Sequence, residues 1–381
     1  TSLTWESGST TPQDILTDKS FTINSNGVYK ITAVTSSGVT SEKILTVTNI
    51  SSVSTTLGIS AYKTKEPDAA YTGGTTWSDQ DITLEVRETS GKIAEDELTM
   101  EMRVIDQKMG SVTTPWTIIE ADREDSGLYK TVAADEGSMV YEFRSTYQDV
   151  VGPSILFQVN IDRSAPKRPL FSEATVTKYD NASWHNAYEA FLEAAIDASE
   201  GCDEWLEYNI DGATDFDGEL LWTATKNPKS DKIKIVDDKD HIVQIRTRDR
   251  LERVSESSEL HVKLDSTRPT DFYIKAGDNR YQDFLDILTG GIFYKDSQTI
   301  EIGGNFNISG VETIEYQLVK PGDTFSADDP WTKVKVADGE DHGDFQLLPG
   351  TKGVIYARGV DKAGNETGII RSDLVTIDNS G

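Results

Sequence analysis

Disulfide-forming pairs are missing from this chain: it has one cysteine, Cys202, in 381 residues, which rules out an intrachain disulfide. Basic residues are in short supply as well. Sixty-five acidic residues stand against 37 basic ones, a net charge of -28, and nucleic-acid binding needs the opposite, a basic footprint. The same charge disfavours docking on anionic lipid and favours solubility. No stretch approaches 18 apolar residues, so no transmembrane helix is present, and no signal peptide or anchor is visible in these residues. Histidine is scarce too, with only His185, His241, His261 and His342. No Gly-x-Ser-x-Gly elbow, phosphate loop, His-Glu-x-x-His or Cys-x-x-Cys occurs, and the chain reads as a non-enzyme.

What the chain has is repetition. A strand rich in alternating apolar or small residues recurs four times, little more than 100 residues apart. It reads Tyr29-Lys30-Ile31-Thr32-Ala33, Tyr141-Glu142-Phe143-Arg144-Ser145, Val243-Gln244-Ile245-Arg246-Thr247 and Ile355-Tyr356-Ala357-Arg358-Gly359. The period of two marks a strand with one buried face. A tryptophan precedes each by 21 to 25 residues: Trp5, Trp116, Trp222 and Trp331. Two markers in constant order mean tandem copies of one module. Its front half, opening on Trp77-Ser78, Trp184-His185 and Tyr294-Lys295, is visible in three copies. The first segment is therefore half a module, expected to expose strand edges and apolar area, and the sequence reads as part of a longer chain.

About seven short strands in roughly 100 residues describe a β-sandwich. The expected class is all-β, with modules at 51–163, 164–266 and 267–381 behind a half module at 1–50. Short linkers containing proline favour an elongated row. Helical signal is thin, confined to a turn or two at 281–288. The stretch 188–198 has helix-friendly composition but occupies a strand slot.

The turn Asp361-Lys362-Ala363-Gly364-Asn365, closed by a strand ending Ile377-Asp378, resembles the terminal hairpin of bacterial immunoglobulin-like repeats. The junctions Asp162-Arg163-Ser164-Ala165-Pro166 and Asp265-Ser266-Thr267-Arg268-Pro269 are similar to that family's Asp-x-x-x-Pro junctions. The resemblance implies immunoglobulin-like sandwiches that serve as stalk, spacer or binding modules of bacterial cell-surface or secreted proteins. The function expected first is a stalk or spacer whose partners are the neighbouring immunoglobulin-like domains of the same longer chain. The alternatives are an adhesin module binding host protein or glycan, and an accessory region of a secreted glycan-acting enzyme.

Three groups of residues are candidates for binding. The closing turn of a sandwich lies at the end where its own linker enters, so Asp265, Asp361 and the Asn365 oxygen should meet. That is an oxygen set suited to calcium, the one cofactor considered, with a salt bridge or plain water the competing outcome. Asp211, Asp215, Asp217 and Glu219 place four carboxylates in nine residues, a second calcium candidate or a solvated acidic turn. Trp205 alternates with Leu206, Tyr208 and Ile210, and so points outward with Glu207 and Asn209. It is either a platform for a ligand such as a sugar or a tryptophan shielded by long side chains. Trp116, Trp222 and Trp331 are expected in the core or at its rim.

Overall fold

The computed structural model describes residues 1–8, 11–23, 27–48, 55–91, 93, 97–125, 127–147, 150–197, 201–281 and 291–378. The boundary expected at residues 50 and 51 and the helical turns expected at 282–288 lie outside them. Period-two sequence becomes strand throughout. In Glu189–Ala195 the residues Ala190, Leu192 and Ala194 are buried while their neighbours are exposed, so the strand slot at 188–198 is filled by a strand. In Lys352–Asp361 the buried set runs Gly353, Ile355, Ala357, Gly359 and Asp361. The chain divides into two compact units, Thr1–Ser164 with Glu200–Cys202, and Ala165–Ser199 with Asp203–Gly381.

The first unit opens on a single four-stranded sheet, in the order Gln13–Asp14, Ser2–Ser7, Gly27–Val34 and Thr40–Val47. Among its described residues only Ile15 and Tyr29 are buried hydrophobics, and Val28 and Ile44 are exposed. Trp5 stacks on Phe21 at 4.6 Å. It sits opposite Ile31 on the strand next to Gly27–Val34. Trp116 lies one strand further out, on Val112–Ile119, so Trp5 shares the spacing of the repeated tryptophan but not its place.

The rest of the first unit is a sandwich. One sheet runs Val112–Ile119, Leu98–Asp106, Gly137–Tyr147, Ile155–Ile161 and Trp77–Ser78, the last pair parallel. The other runs Leu128–Ala133, Ile82–Glu88, Leu57–Lys63 and Glu66–Ala70. Between them lie Ile82, Leu84, Val86, Met100, Phe143 and Ile161, each at most 1% exposed. Burying an aliphatic side chain of this size stabilises by about 1.5–3 kcal/mol.

The second unit holds two further sandwiches of the same plan. In the third module Trp184–His185, Ser258–Leu264, Lys239–Asp249, Glu204–Ile210 and Thr223–Ala224 face Leu170–Phe171, Glu189–Ala195 and Ser230–Val236. In the fourth, Ile292–Tyr294, Ile370–Ile377, Lys352–Asp361, Val311–Val319 and Thr332–Val334 face Asn279–Tyr281, Thr270–Ala276, Gln298–Asn305 and His342–Leu347. Two antiparallel sheets, with a short early strand pairing parallel to the last one, make immunoglobulin-like topology. The protein is a tandem array of β-sandwiches.

Two details depart from the expected pattern. The parallel pairing sets Trp77 opposite Asn160, Trp184 opposite Lys263 and Phe293 opposite Thr376. Phe293, not Tyr294, is thus the counterpart of the two tryptophans, and a one-residue slip of this kind exchanges the faces of a strand. The third module also shortens its first strand to Leu170–Phe171 and continues as a helix, Glu173–Lys178. Ser172 caps it by accepting from Thr175 N–H at 3.2 Å. Thr175 Oγ1 in turn accepts the Glu193 N–H at 3.0 Å, so a helical side chain satisfies a donor on the shortened edge of the sheet.

Candidate functional site

The linker between the third and fourth modules is fastened on both sides. Asp238, in the turn before Lys239–Asp249, accepts from Ser266 N–H at 2.9 Å and Ser266 Oγ at 2.8 Å. Burial works to raise its pKa, but the hydrogen bonds from Thr267 and Ser266 outweigh it and hold the carboxyl below its usual range. One residue earlier, Asp265 is 2% exposed. Its Oδ1 accepts from Thr267 N–H at 3.0 Å and its Oδ2 from Ser309 N–H of the fourth module at 3.1 Å.

Asp361 and Asn365 complete the joint. Asp361 is 2% and Asn365 4% exposed. Asp361 Oδ1 takes the N–H groups of Ala363 at 3.0 Å and Asn365 at 2.8 Å, and its Oδ2 takes Asn365 Nδ2 at 2.9 Å. Asn365 Nδ2 also donates to Asp265 O at 3.0 Å. The three residues expected to meet do meet. What Asn365 turns toward both aspartates is its amide nitrogen, and each carboxylate oxygen of Asp265 and Asp361 accepts at least one N–H. In this geometry the chain's own donors do the work assigned to a cation, namely offsetting the carboxylate charge.

The acidic loop behaves differently. Asp211 turns toward Lys239 Nζ at 2.9 Å, His241 Nδ1 at 3.0 Å and Ile242 N–H at 2.9 Å. Asp215 Oδ1 instead accepts from Asp217 N–H at 2.9 Å and Glu219 N–H at 3.0 Å, forming an Asx turn. Asp211, Asp215, Asp217 and Glu219 are thus not gathered around one point. Among the described residues, the acid and histidine groups that converge closely enough for a metal are Glu340, Asp341 and His342, which are exposed or half-buried neighbours in sequence. That trio was not singled out from the sequence.

The outer sheet faces carry a device the sequence reading missed. Trp116 stacks on Arg144 at 4.0 Å and Arg103 at 4.8 Å, Trp222 on Arg246 at 4.1 Å, and Trp331 on Arg358 at 4.4 Å. Each arginine also pairs with a glutamate on the adjacent strand: Arg144 with Glu101, Arg246 with Glu207, Arg358 with Glu315. The tryptophans are half-buried lids on ion pairs. The repeated arginine within the marker strand was the available signal. Trp205 does point outward, opposite Arg248, and is half-buried, with Nε1 3.3 Å from Glu207 Oε1. Its outward neighbours Glu207 and Asn209 are buried, because the segment from Asp211 to Thr225 folds over them. Cys202 is buried and its N–H donates to Asp162 Oδ2 at 2.9 Å within the first unit.

No family model matches the chain. No curated protein matches it either. Among solved structures, eight N-terminal Ig domains of Down Syndrome Cell Adhesion Molecule align at 9% identity over 98% of this chain and 67% of theirs, with a TM-score of 0.25. The Escherichia coli adhesin FdeC aligns at 10% identity over 84% of this chain and 99% of its own, with a TM-score of 0.34. Fibronectin(III)-like modules of Clostridium thermocellum CbhA align at 14% identity over 55% and 94%, with a TM-score of 0.23. Likeness at this level carries no argument about activity. The immunoglobulin-like description rests on the strand order of the chain itself.

Proposed function

We propose that this chain is a non-catalytic spacer region of an extracellular or cell-surface protein, built to hold its modules in set relation. The observation that carries this reading is the joint at Asp265. One linker residue is bonded to the turn of the fourth module through its carbonyl and to a second loop of that module through its carboxylate. The next residue is bonded to the third module through Asp238. A flexible tether would need none of these bonds, and each fixes a dihedral at an entropic cost that a stiff joint alone repays.

Pulsed electron resonance on the full chain tests it. Spin labels at Ser230→Cys and Thr332→Cys, both on exposed strand positions of the second unit, report the distance between the third and fourth modules; Cys202 is buried and stays unlabelled. A narrow distribution that broadens in Asn365→Ala and Asp361→Ala is expected. A distribution equally broad in parent and variants would remove the spacer reading.

A further inference from the structure

Two loops occupy the same place in the third and fourth modules, after Glu204–Ile210 and after Val311–Val319. Each is fastened by an amide side chain from equivalent strand positions, two residues past the arginine-paired Glu207 and Glu315. Asn209 Nδ2 donates to Ala213 O and Leu221 O, both at 2.8 Å. Gln317 Nε2 donates to Ser326 O at 3.1 Å and Asp329 O at 2.9 Å. Each loop also carries one phenylalanine. Phe325 folds back, stacked on Tyr356 at 4.0 Å and edge-on to Trp331 at 6.1 Å. Phe216 does the opposite and is fully exposed, at 103%.

Phe216 is held out by its own turn. Asp215 N–H donates to Glu219 O at 2.8 Å, Gly218 N–H to Asp215 O at 3.2 Å, and Thr214 bridges Leu220. Gly218 takes φ +86°, a left-handed conformation that closes the turn without a Cβ clash. With the Asx turn of Asp215 and the Asn209 bonds at the base, the tip is ordered before anything binds, which lowers the entropic cost of docking. Leu220 and Leu221 beside it are 46% and 52% exposed. An ordered aromatic standing in water beside exposed leucines is the profile of an interface anchor.

Charge selects the partner. Asp217 and Glu219 flank the anchor, on a chain of net charge -28. That field repels a second copy of the chain and repels anionic lipid. Its complement is an apolar pocket edged with cations. We propose that the 211–221 loop is a docking tip on which Phe216 inserts into an apolar pocket, rimmed by lysine or arginine, on a partner protein.

The chemistry can be tested without knowing the partner, using heptakis-amino-β-cyclodextrin, whose apolar cavity is ringed by ammonium groups, and neutral β-cyclodextrin as its control. Calorimetry on the full chain should show the cationic host binding at least about tenfold more tightly than the neutral one at low salt, with the gap closing as salt screens the rim. Phe216→Ala should abolish this site with its melting temperature unchanged. Asp217→Asn with Glu219→Gln should keep neutral-host binding and lose the cationic preference. Equal binding by the parent and Phe216→Ala would overturn the proposal. So would a dimer in sedimentation that Phe216→Ala dissolves, which would make a second copy the occupant. Binding to zwitterionic vesicles that Phe216→Ala abolishes would likewise overturn it in favour of a membrane.

Discussion

The third and fourth modules close with the same turn and use it differently. In 249–253 the Asp249 N–H donates to Arg253 O at 3.0 Å and the Glu252 N–H to Asp249 O at 3.1 Å; in 361–365 the matching bonds are both 3.0 Å. Asp249 Oδ1 accepts from the N–H groups of Leu251 and Arg253, as Asp361 Oδ1 does from Ala363 and Asn365. Glu252 and Gly364 both take positive φ, 65° and 87°. The fifth residue is one place where the two turns diverge. Arg253 sends its Nε to Asp249 Oδ2 at 2.7 Å, whereas Asn365 shares its nitrogen between Asp361 and the linker carbonyl of Asp265. The aspartate at the first position shapes both turns, and the asparagine at the fifth position of the fourth module's turn adds a bond to the linker carbonyl of Asp265.

The largest difference between the two modules should come from their arginine-covered ion pairs. Glu207 is 8% exposed beneath Arg246, and Glu315 is 15% exposed beneath Arg358. Arg246→Met should cost the third module about 3 kcal/mol by taking the nearest cation from a buried carboxylate, which keeps Trp205 Nε1 at 3.3 Å and Arg248 Nη1 at 4.0 Å, and Arg358→Met should cost the fourth about 1–2 kcal/mol. Hydrogen exchange resolved by module measures both, and equal losses would erase the distinction. A smaller effect is expected from Asn365→Arg, which gives the fourth turn the fifth residue of the third. It should keep the turn and lose the bond to Asp265 O, costing about 1 kcal/mol. Faster exchange at 265–269 with protection kept at 361–365 is the expected result.

The smallest effect is in pH response, where the modules should move in opposite directions. Burial, helped by Lys178, holds the His185 pKa below its usual value. Its unfolded form binds the proton more readily, so its contribution is complete above about pH 6.5 and declines as pH falls below that. A hydrogen bond from its Nδ1 to the Asp341 carboxylate holds the His342 pKa above its usual value. That contribution is complete below about pH 6.5 and is lost as pH rises through the folded value. Exchange corrected for its intrinsic rate, compared between about pH 5 and pH 8, should favour the fourth module at the acid end. A parallel response in both modules would contradict it.

Strands with one buried face could be read from the sequence because burial there depends only on alternation. This is why 189–195 came out as strand against its composition and why the marker strands fell into register. Asp265, Asp361 and Asn365 could be placed together because topology alone puts that turn at the linker. Their bonding could not, since a carboxylate reads the same whether a cation or an N–H faces it. Glu207 and Asn209 were read as solvent-facing because alternation gives the side of a strand and not what folds over it. The helix at Glu173–Lys178 had only the Ser172 cap as a signal and was not expected from the sequence. Trp5 and Phe293 show the limit of spacing: a similar offset and a similar ring each suggested an equivalence that the hydrogen-bond register denies.

The parallel pairing of the short early strand with the last one has a mechanical consequence. Tension drawn through a module pulls the first from its start and the second from its end, so the two are loaded in shear and their bonds must fail together. The third module offers two residue pairs, Trp184 with Lys263 and His185 with Leu264, and the fourth offers three, from Ile292 with Val375 to Tyr294 with Ile377. Each run is extended by one further bond, Asp265 N–H to His185 O and Asp378 N–H to Tyr294 O. Under load the third module, with fewer pairs than the fourth and a two-residue first strand, should yield before the fourth.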